Sequence, residues 1–283
     1  MSSVHTRAPG KINVCLFVGA TRPSDGRHEL VSVMQAVDLC DEVWVEDADA
    51  DALVCPRVSG ENIVTAALAR FRARSGRSEP VAITIAKAIP VAAGMAGGSA
   101  DAGAVLRLLD EHCGTGLGDD VLRELAAGLG ADVPAQVRPG RYLALGAGER
   151  VAARRQPRPY GVVVLPHPEP LSTPAVYREF DRLRLARPAT ELAALAARVQ
   201  VTADDLPDAL VVNDLEPAAI SLCPPVGRNL ERLRSAGADL VLVSGSGPTT
   251  LGLTRDLDAA VDVAARLGPE AIATRVWDPD RSS

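Results

Sequence analysis

The stretch IPVAAGMAGGSADAGAVL, residues 89–106, carries almost no functional side chains, so any chemistry it performs must come from its backbone. Glycines let main-chain N–H groups approach an anion closely, and a helix N-terminus adds free donors and about half a positive charge at the same place. Gly94, Gly97, Gly98 and the N-cap candidate Ser99 lie between a strand pattern that stops at Pro90 and a helical pattern that follows. This context suits a phosphate cradle; it equally suits a tight strand-to-helix turn whose small residues allow close packing. No GK[ST] follows and GMAGGS does not fit GxGxxG, so the stretch is neither a Walker A motif nor a dinucleotide fingerprint. No protein-kinase catalytic-loop or DFG sequence occurs elsewhere.

Among the 30 basic residues only Lys11 and Lys87 are lysines, which singles out both for chemistry that an arginine cannot do. Lys87 ends a strand three residues before the Gly-rich loop, where it either reaches a nucleotide or is a solvated lysine at the strand end. Asp132, in GLGADVP, follows a Gly-terminated helical pattern, a usual place for a cap or a solvent-facing carboxylate. His28 in a polar loop and Tyr177 in the helical pattern AVYREF read, on their own, as an ordinary loop histidine and a core aromatic.

The elements that must position these residues can be read from periodicity. INVCLFVGA (12–20), VSVMQAV, EVWVE and VAITIAKAIP read as strands, with TRPSDGRHE as a loop. Residues 61–74 form an amphipathic helix with Ile63, Ala67, Leu68 and Phe71 on one face and a cap at Ser59 or Gly60. Two helices flank the GTGLGDD turn, the first starting at Ser99. Residues 141–160 carry turn formers and the basic stretch RRQPRPY, and a buried-looking strand GVVVLP follows. Helical patterns at 174–185, 189–199, 226–236 and 256–267 and strands at 239–243 and TLGLT complete the chain. Strands and helices alternate without a regular βαβ beat, which predicts α+β packing in two domains, 1–155 and 156–283.

Composition bounds the function. With 283 residues, 47% hydrophobic and 23% charged, the chain is an ordinary folded protein. A net charge of -6 and 3% aromatics give no attraction for nucleic acid or an anionic membrane, so bound phosphate must be met by local groups. Five scattered cysteines without a CxxC pair predict neither a disulfide framework nor a zinc site. With no signal peptide and no bilayer-length apolar run, the expected location is the cytoplasm.

The segments APGKINVCL, RPSDGRHELVSVMQAVDLCDEV, GGSADA, GADVP, GAGERV, LSTPAVY, NDLE and SGSGPT, taken together from residue 8 to about 253, resemble the GHMP kinase superfamily of small-molecule kinases. Within it the resemblance is to members that phosphorylate the C2 hydroxyl of a cytidine-diphosphate methylerythritol in isoprenoid biosynthesis. GGSADA discriminates these from homoserine and mevalonate kinases, whose loops are serine-rich. The resemblance implies a GHMP kinase fold with its active site in the interdomain cleft, ATP with Mg²⁺ as cofactors, a small-molecule substrate, and a monomer or weak homodimer. The alternatives are a homoserine, mevalonate or sugar kinase, or a non-catalytic ligand-binding protein on the same fold.

It also implies roles by position. Lys11 and Asp132 match the catalytic pair, and the residue types suit phosphoryl transfer to an alcohol. Asp132 would take the hydroxyl proton, while Lys11 would keep it ionised and hold a reacting oxygen. Asn13, Arg27, His28, Thr173 and Tyr177 match substrate positions, with His28 bonding the cytosine edge and Tyr177 stacking on its face. Gly245, Ser246 and Gly247 would close over the substrate phosphates, unless SGSGPT is an ordinary turn. Pro90, Val91, Ala92, Ala93, Gly94, Met95, Ala96, Gly97, Gly98, Ser99 and Ala100 match the ATP loop, together with Lys87; Ser99 either ligates Mg²⁺ or caps the helix. Two departures stand out. Arg27 replaces an aromatic before the histidine, turning one side of the cytosine sandwich into a guanidinium. Met95-Ala96 replaces Leu-Gly, adding a Cβ where backbone should meet phosphate.

Overall fold

The computed structural model of the chain describes residues 3–58, 60–91 and 93–279. It opens with two long antiparallel strands, β1 (Ser3–Thr21) and β2 (His28–Asp47), paired from Ser3 opposite Glu46 to Thr21 opposite His28. The expected strands VSVMQAV and EVWVE are one strand, because both halves of β2 pair with β1 on either side of a bulge. β1 likewise begins nine residues before the expected Ile12: Pro9 is tolerated there because β1 lies at the sheet edge, where no ladder partner needs its missing N–H. The register shifts between Pro9 and Lys11 and again between Asn13 and Cys15. Such shifts re-aim side chains, and these two bracket Lys11 and Asn13.

The first sheet is completed by β3 (Ala52–Val54), β4 (Val81–Ala86), β5 (Arg141–Gly146) and β6 (Arg150–Arg154). Its order is β3-β4-β2-β5-β6, with β1 along the other edge of β2. The β5–β6 hairpin lies where turn formers and a basic stretch were expected. Its first arginine is a buried strand residue, Arg141, which donates to the carbonyl of Ala203 and to Gln35 Oε1. Four helices cover this half: α1 (Ile63–Ser75), α2 (Gly97–His112), α3 (Gly118–Ala127) and the short α4 (Val133–Gln136). The α1 cap is Asn62, whose side chain accepts from Val64 N at 3.0 Å; Gly60 does not cap it and Ser59 lies outside the described residues. In α2 every residue from Ala100 to Leu106 is buried, and its run of Ala and Gly lets the helix lie close to its neighbours.

The second sheet has β7 (Gly161–Leu165), β8 (Leu240–Val243), β9 (Thr250–Thr254) and β10 (Ile272–Arg275) in the order β10-β7-β9-β8. It is joined by α5 (Thr173–Arg182), α6 (Ala189–Thr202), α7 (Glu216–Leu222), α8 (Pro225–Ser235) and α9 (Leu257–Leu267). The architecture is α+β, as the lack of a βαβ beat required. The outer edge of β1 is covered by the second half of the chain: Leu16 N donates to Val212 O at 2.8 Å, Asp214 N to Leu16 O at 2.9 Å, and Arg187 N to Val18 O at 3.0 Å. Pairing an edge this way removes a row of exposed backbone groups. One apolar cluster runs through both halves, joining Ile12 and Phe17 to Val162 and Leu251. All five cysteines are free, and no helix among the described residues is long and apolar enough to cross a membrane.

Candidate active site

Lys11 and Asn13, two residues apart on β1, share one face of the strand. Lys11 Nζ donates to Asn13 Oδ1 at 2.7 Å and lies 3.5 Å from Asp132 Oδ2. Asn13 is itself anchored, since Nδ2 donates to Ser32 Oγ at 2.7 Å and that hydroxyl donates to Cys15 O at 2.6 Å. Asp132 precedes α4 without capping it through its side chain, so the reading as a cap does not hold and the carboxylate faces Lys11. The two residues 121 positions apart in sequence therefore meet on the wall of one cleft of about 840 Å³.

The same cleft gathers most of the other expected substrate residues: Arg27, His28, Thr173, Tyr177, Gly245 and Ser246 line it, with Asn13. The His28 and Tyr177 rings lie 4.9 Å apart at 34°, and Phe180 meets the imidazole edge-on at 5.8 Å. Burial raises the Tyr177 phenol above its ordinary pKa. His28 Nε2 pairs with Asp181 Oδ1 at 2.8 Å, a partner that sequence reading missed, which leaves Nδ1 as the ring nitrogen for a ligand. Thr173 and Ser246 share a hydroxyl–hydroxyl bond of 2.8 Å, closing α5 onto the SGSGPT turn. Arg27 donates to Ala147 O at 2.6 Å. Gly247 does not line the cleft; it turns inward, where a Cβ would meet Val243 at 3.0 Å.

A second cavity of about 400 Å³ lies on the other side of the Gly-rich loop and shares Gly94 and Ala96 with the first. Pro90, Val91, Ala93, Met95, Gly97, Gly98 and Lys87 line it, joined by Asn62 and Asp101, which sequence reading did not single out. The loop is held by Lys11 N donating to Met95 O at 2.9 Å and Ser244 Oγ donating to Gly94 O at 3.3 Å. Gly94, at φ 70°, is obligatory, because a Cβ there would lie 2.3 Å from Ser244 O. Both departures in the loop have structural readings: Met95 is 1% exposed and faces the core, whereas Ala96 sits in the left-handed region at φ 53°. Ala96, not Ser99, is the residue before α2, and it provides no side-chain cap. Ser99 lies within the first turn and Ala100 is buried behind it, so neither lines a cavity; the first-turn amides at the α2 N-terminus have no capping side chain. Ala92 lies outside the described residues.

Lys87 is not a solvated lysine. Its ammonium is 4% exposed and clasped between Asp41 and Asp101, with Asp101 Oδ2 at 2.7 Å. Asp41 Oδ1 in turn accepts from Ala88 N at 2.7 Å and Ile89 N at 2.9 Å, so the cluster ties β2, the loop entry and α2 together. Two carboxylates around one ammonium leave a buried net negative charge, and burial pushes Asp101 up to about 7 while the two carboxylates hold Lys87 above its ordinary range. The acids Asp41 and Asp101 were present in DLCDEV and GGSADA, but nothing local marks a carboxylate whose partner is more than ten residues away.

A cleft, a carboxylate beside an ammonium on its wall, and uncapped amides at the α2 N-terminus thus lie on either side of the Gly-rich loop. The pattern is that of a small-molecule kinase, and family models agree: "GHMP kinases N terminal domain" matches residues 62–140 and "GHMP kinases C terminal" residues 185–273. The chain therefore belongs to the GHMP kinase family. Its relatives narrow this to the branch of 4-diphosphocytidyl-2-C-methyl-D-erythritol kinases: that of Streptomyces coelicolor is 44% identical, covering 94% of this chain and 92% of its own. That of Mycobacterium tuberculosis is 40% identical, covering 97% and 89%. A crystal structure of 4-(cytidine 5'-diphospho)-2C-methyl-D-erythritol kinase superposes with TM-score 0.82 at 32% identity, over 97% of this chain and 100% of the other. Homoserine kinase from Cytophaga hutchinsonii, at 18% identity and TM-score 0.74 over 98% and 95%, shares the fold.

Proposed function

We propose that this kinase transfers the γ-phosphoryl group of ATP to the C2 hydroxyl of 4-diphosphocytidyl-2-C-methyl-D-erythritol, giving ADP and the 2-phosphate. The observation that carries the reading is the meeting, in one cleft, of the Lys11–Asp132 pair with the His28–Tyr177 ring pair. Asp132 takes the C2 hydroxyl proton as the oxygen attacks phosphorus; Lys11, fixed by Asn13 and 3.5 Å from that carboxylate, holds the reacting oxygen. The Asp181 carboxylate selects the Nε2–H tautomer of His28, so Nδ1 offers a lone pair suited to the exocyclic amine of cytosine. Tyr177 would supply a face for the base, and Arg27, Thr173, Gly245 and Ser246, which line the same cleft, would meet the base and the diphosphate.

ATP would occupy the smaller cavity with its phosphates toward the α2 N-terminus, where Pro90, Val91, the residues 93–98 and Lys87 form the wall. Among the described residues no cluster of His, Cys, Asp or Glu could cage a metal. An Mg²⁺ ion would travel on the ATP phosphates and neutralise their charge; Ser99, in the first turn of α2, is the one residue of the 90–100 loop with a side-chain oxygen to offer it. We place the boundary between the two domains at residues 155 and 156, between β6 and β7, and the enzyme in the cytoplasm.

A coupled ADP-release assay tests the assignment by offering the cytidine-diphosphate substrate beside homoserine and mevalonate. Turnover is expected with the cytidine compound alone, and cytidine nucleotides should raise the melting temperature. Turnover of homoserine or mevalonate without it would overturn the substrate assignment.

A further inference from the structure

Among the described residues, the carboxylate proposed to take the proton has no hydrogen bond that fixes its own position: Asp132 does not cap α4, and its one ion-pair partner, Lys11, stands 3.5 Å away. Its place is therefore set by the backbone of α4, and α4 is seated on α2. At Gly103 the two helices pack backbone against backbone, since a Cβ there would lie 2.5 Å from Gln136 O and 2.6 Å from Gln136 C. One turn further along α2, Arg107 Nη1 donates to Gln136 O at 2.9 Å and to Val137 O at 3.1 Å, the carbonyls that end α4. Its Nη2 reaches Arg7 O at 3.5 Å on β1, four residues before Lys11.

No carboxylate stands within ion-pair distance of this guanidinium among the described residues. Burial, with the Arg138 charge nearby and Asp119 only partly offsetting it, brings its pKa down to about 10, and its direct partners are carbonyl oxygens. A charge kept half-buried without a counter-ion calls for a role, and its three partners lie on the two elements that carry Lys11 and Asp132.

We infer that Arg107 is a positioning residue for phosphoryl transfer: bridging the end of α4 and β1, it holds Asp132 in register with Lys11. The planar fork matters, because a lysine ammonium on a shorter reach does not span both helix-end carbonyls and the β1 carbonyl. The inference rests on Asp132 being the proton acceptor.

The test uses the full-length enzyme with Arg107→Lys and Arg107→Ala. In both, kcat should fall about tenfold to a hundredfold, the effect of displacing a catalytic group by about 1 Å, while ATP affinity stays within about twofold. The split between a fallen kcat and an unchanged ATP affinity marks a displaced reacting group, since general loosening of the fold would weaken both. Millimolar guanidinium should restore kcat in Arg107→Ala and leave Asp132→Asn unchanged. A folded Arg107→Lys enzyme with kcat within about threefold of wild type would overturn the inference; if Arg107→Ala fails to fold, Arg107→Lys decides alone. Full turnover by Asp132→Asn would instead sink the proton-acceptor reading beneath it.

Discussion

At the scale of single residues, the site depends on side chains that are held before any ligand arrives. Lys11 is oriented by Asn13, Asn13 by Ser32, and His28 by Asp181. Asp181→Ala should therefore raise KM for the cytidine substrate about tenfold, the worth of one charge-assisted hydrogen bond, with KM for ATP unchanged. Steady-state kinetics with each substrate varied in turn checks this, and a parallel rise in both constants would contradict it. Ala96 shows the opposite situation, a residue at odds with its backbone: at φ 53° an L side chain is strained by about 1 kcal/mol, and glycine is not. Ala96→Gly should raise the unfolding free energy by about that amount in a urea titration, without weakening ATP binding.

At the scale of elements, the Gly-rich loop is a poor phosphate binder unless its two ends are fixed, and a buried charge cluster fixes them. Lys87 on the way out of β4, Asp41 on β2 and Asp101 on α2 form a unit in which removing the ammonium leaves two carboxylates face to face. Lys87→Met should cost about 3 to 5 kcal/mol and weaken ATP binding. The pH dependence has a definite sign. Asp101 is held up to about 7 in the fold against about 3.9 unfolded, so its contribution to stability is present at low pH and is lost as pH rises through about 7. Without Lys87 that loss steepens, so the penalty measured by urea unfolding should be smaller at pH 5 than at pH 8. An equal penalty at both would show that the two acids do not share a buried charge.

At the scale of the whole molecule, the second half of the chain closes the site made by the first. Asn213, 4% exposed, donates through Nδ2 to Val243 O at 2.8 Å and Gly245 O at 2.7 Å, and accepts from Leu215 N at 2.9 Å. Asp214 accepts from Val18 N at 2.9 Å and holds Arg187. The NDLE segment is thus a seam that joins the SGSGPT turn to the edge of β1. Asn213→Ala strands buried backbone groups and should cost about 2 to 4 kcal/mol. Because Gly245 then loses its tether, KM for the acceptor should also rise; unaltered stability and KM would show the turn to be held by other contacts.

The amino-acid sequence alone determined the fold class, the long helices and the Gly-rich stretch, because periodicity, turn chemistry and short motifs are local properties, while the site roles came to it only through a resemblance of segments spread along the chain. It did not reveal the β5–β6 hairpin, β10, α4 or α7, whose stability comes from neighbours: buried Arg141 in β5 and α4 seated on Gly103 read locally as loop. It left Ser99 open between a cap and a metal ligand, and Lys87 between nucleotide and solvent, since a side chain's partner is not written beside it. Only the tertiary structure decided that Lys87 is enclosed by two acids, that Asp181 faces His28 across 153 residues, and that Arg107 grips the end of α4. The reason is physical: burial and electrostatic pairing are set by what packs around a group, and that is fixed only when the distant strands and helices close on one another.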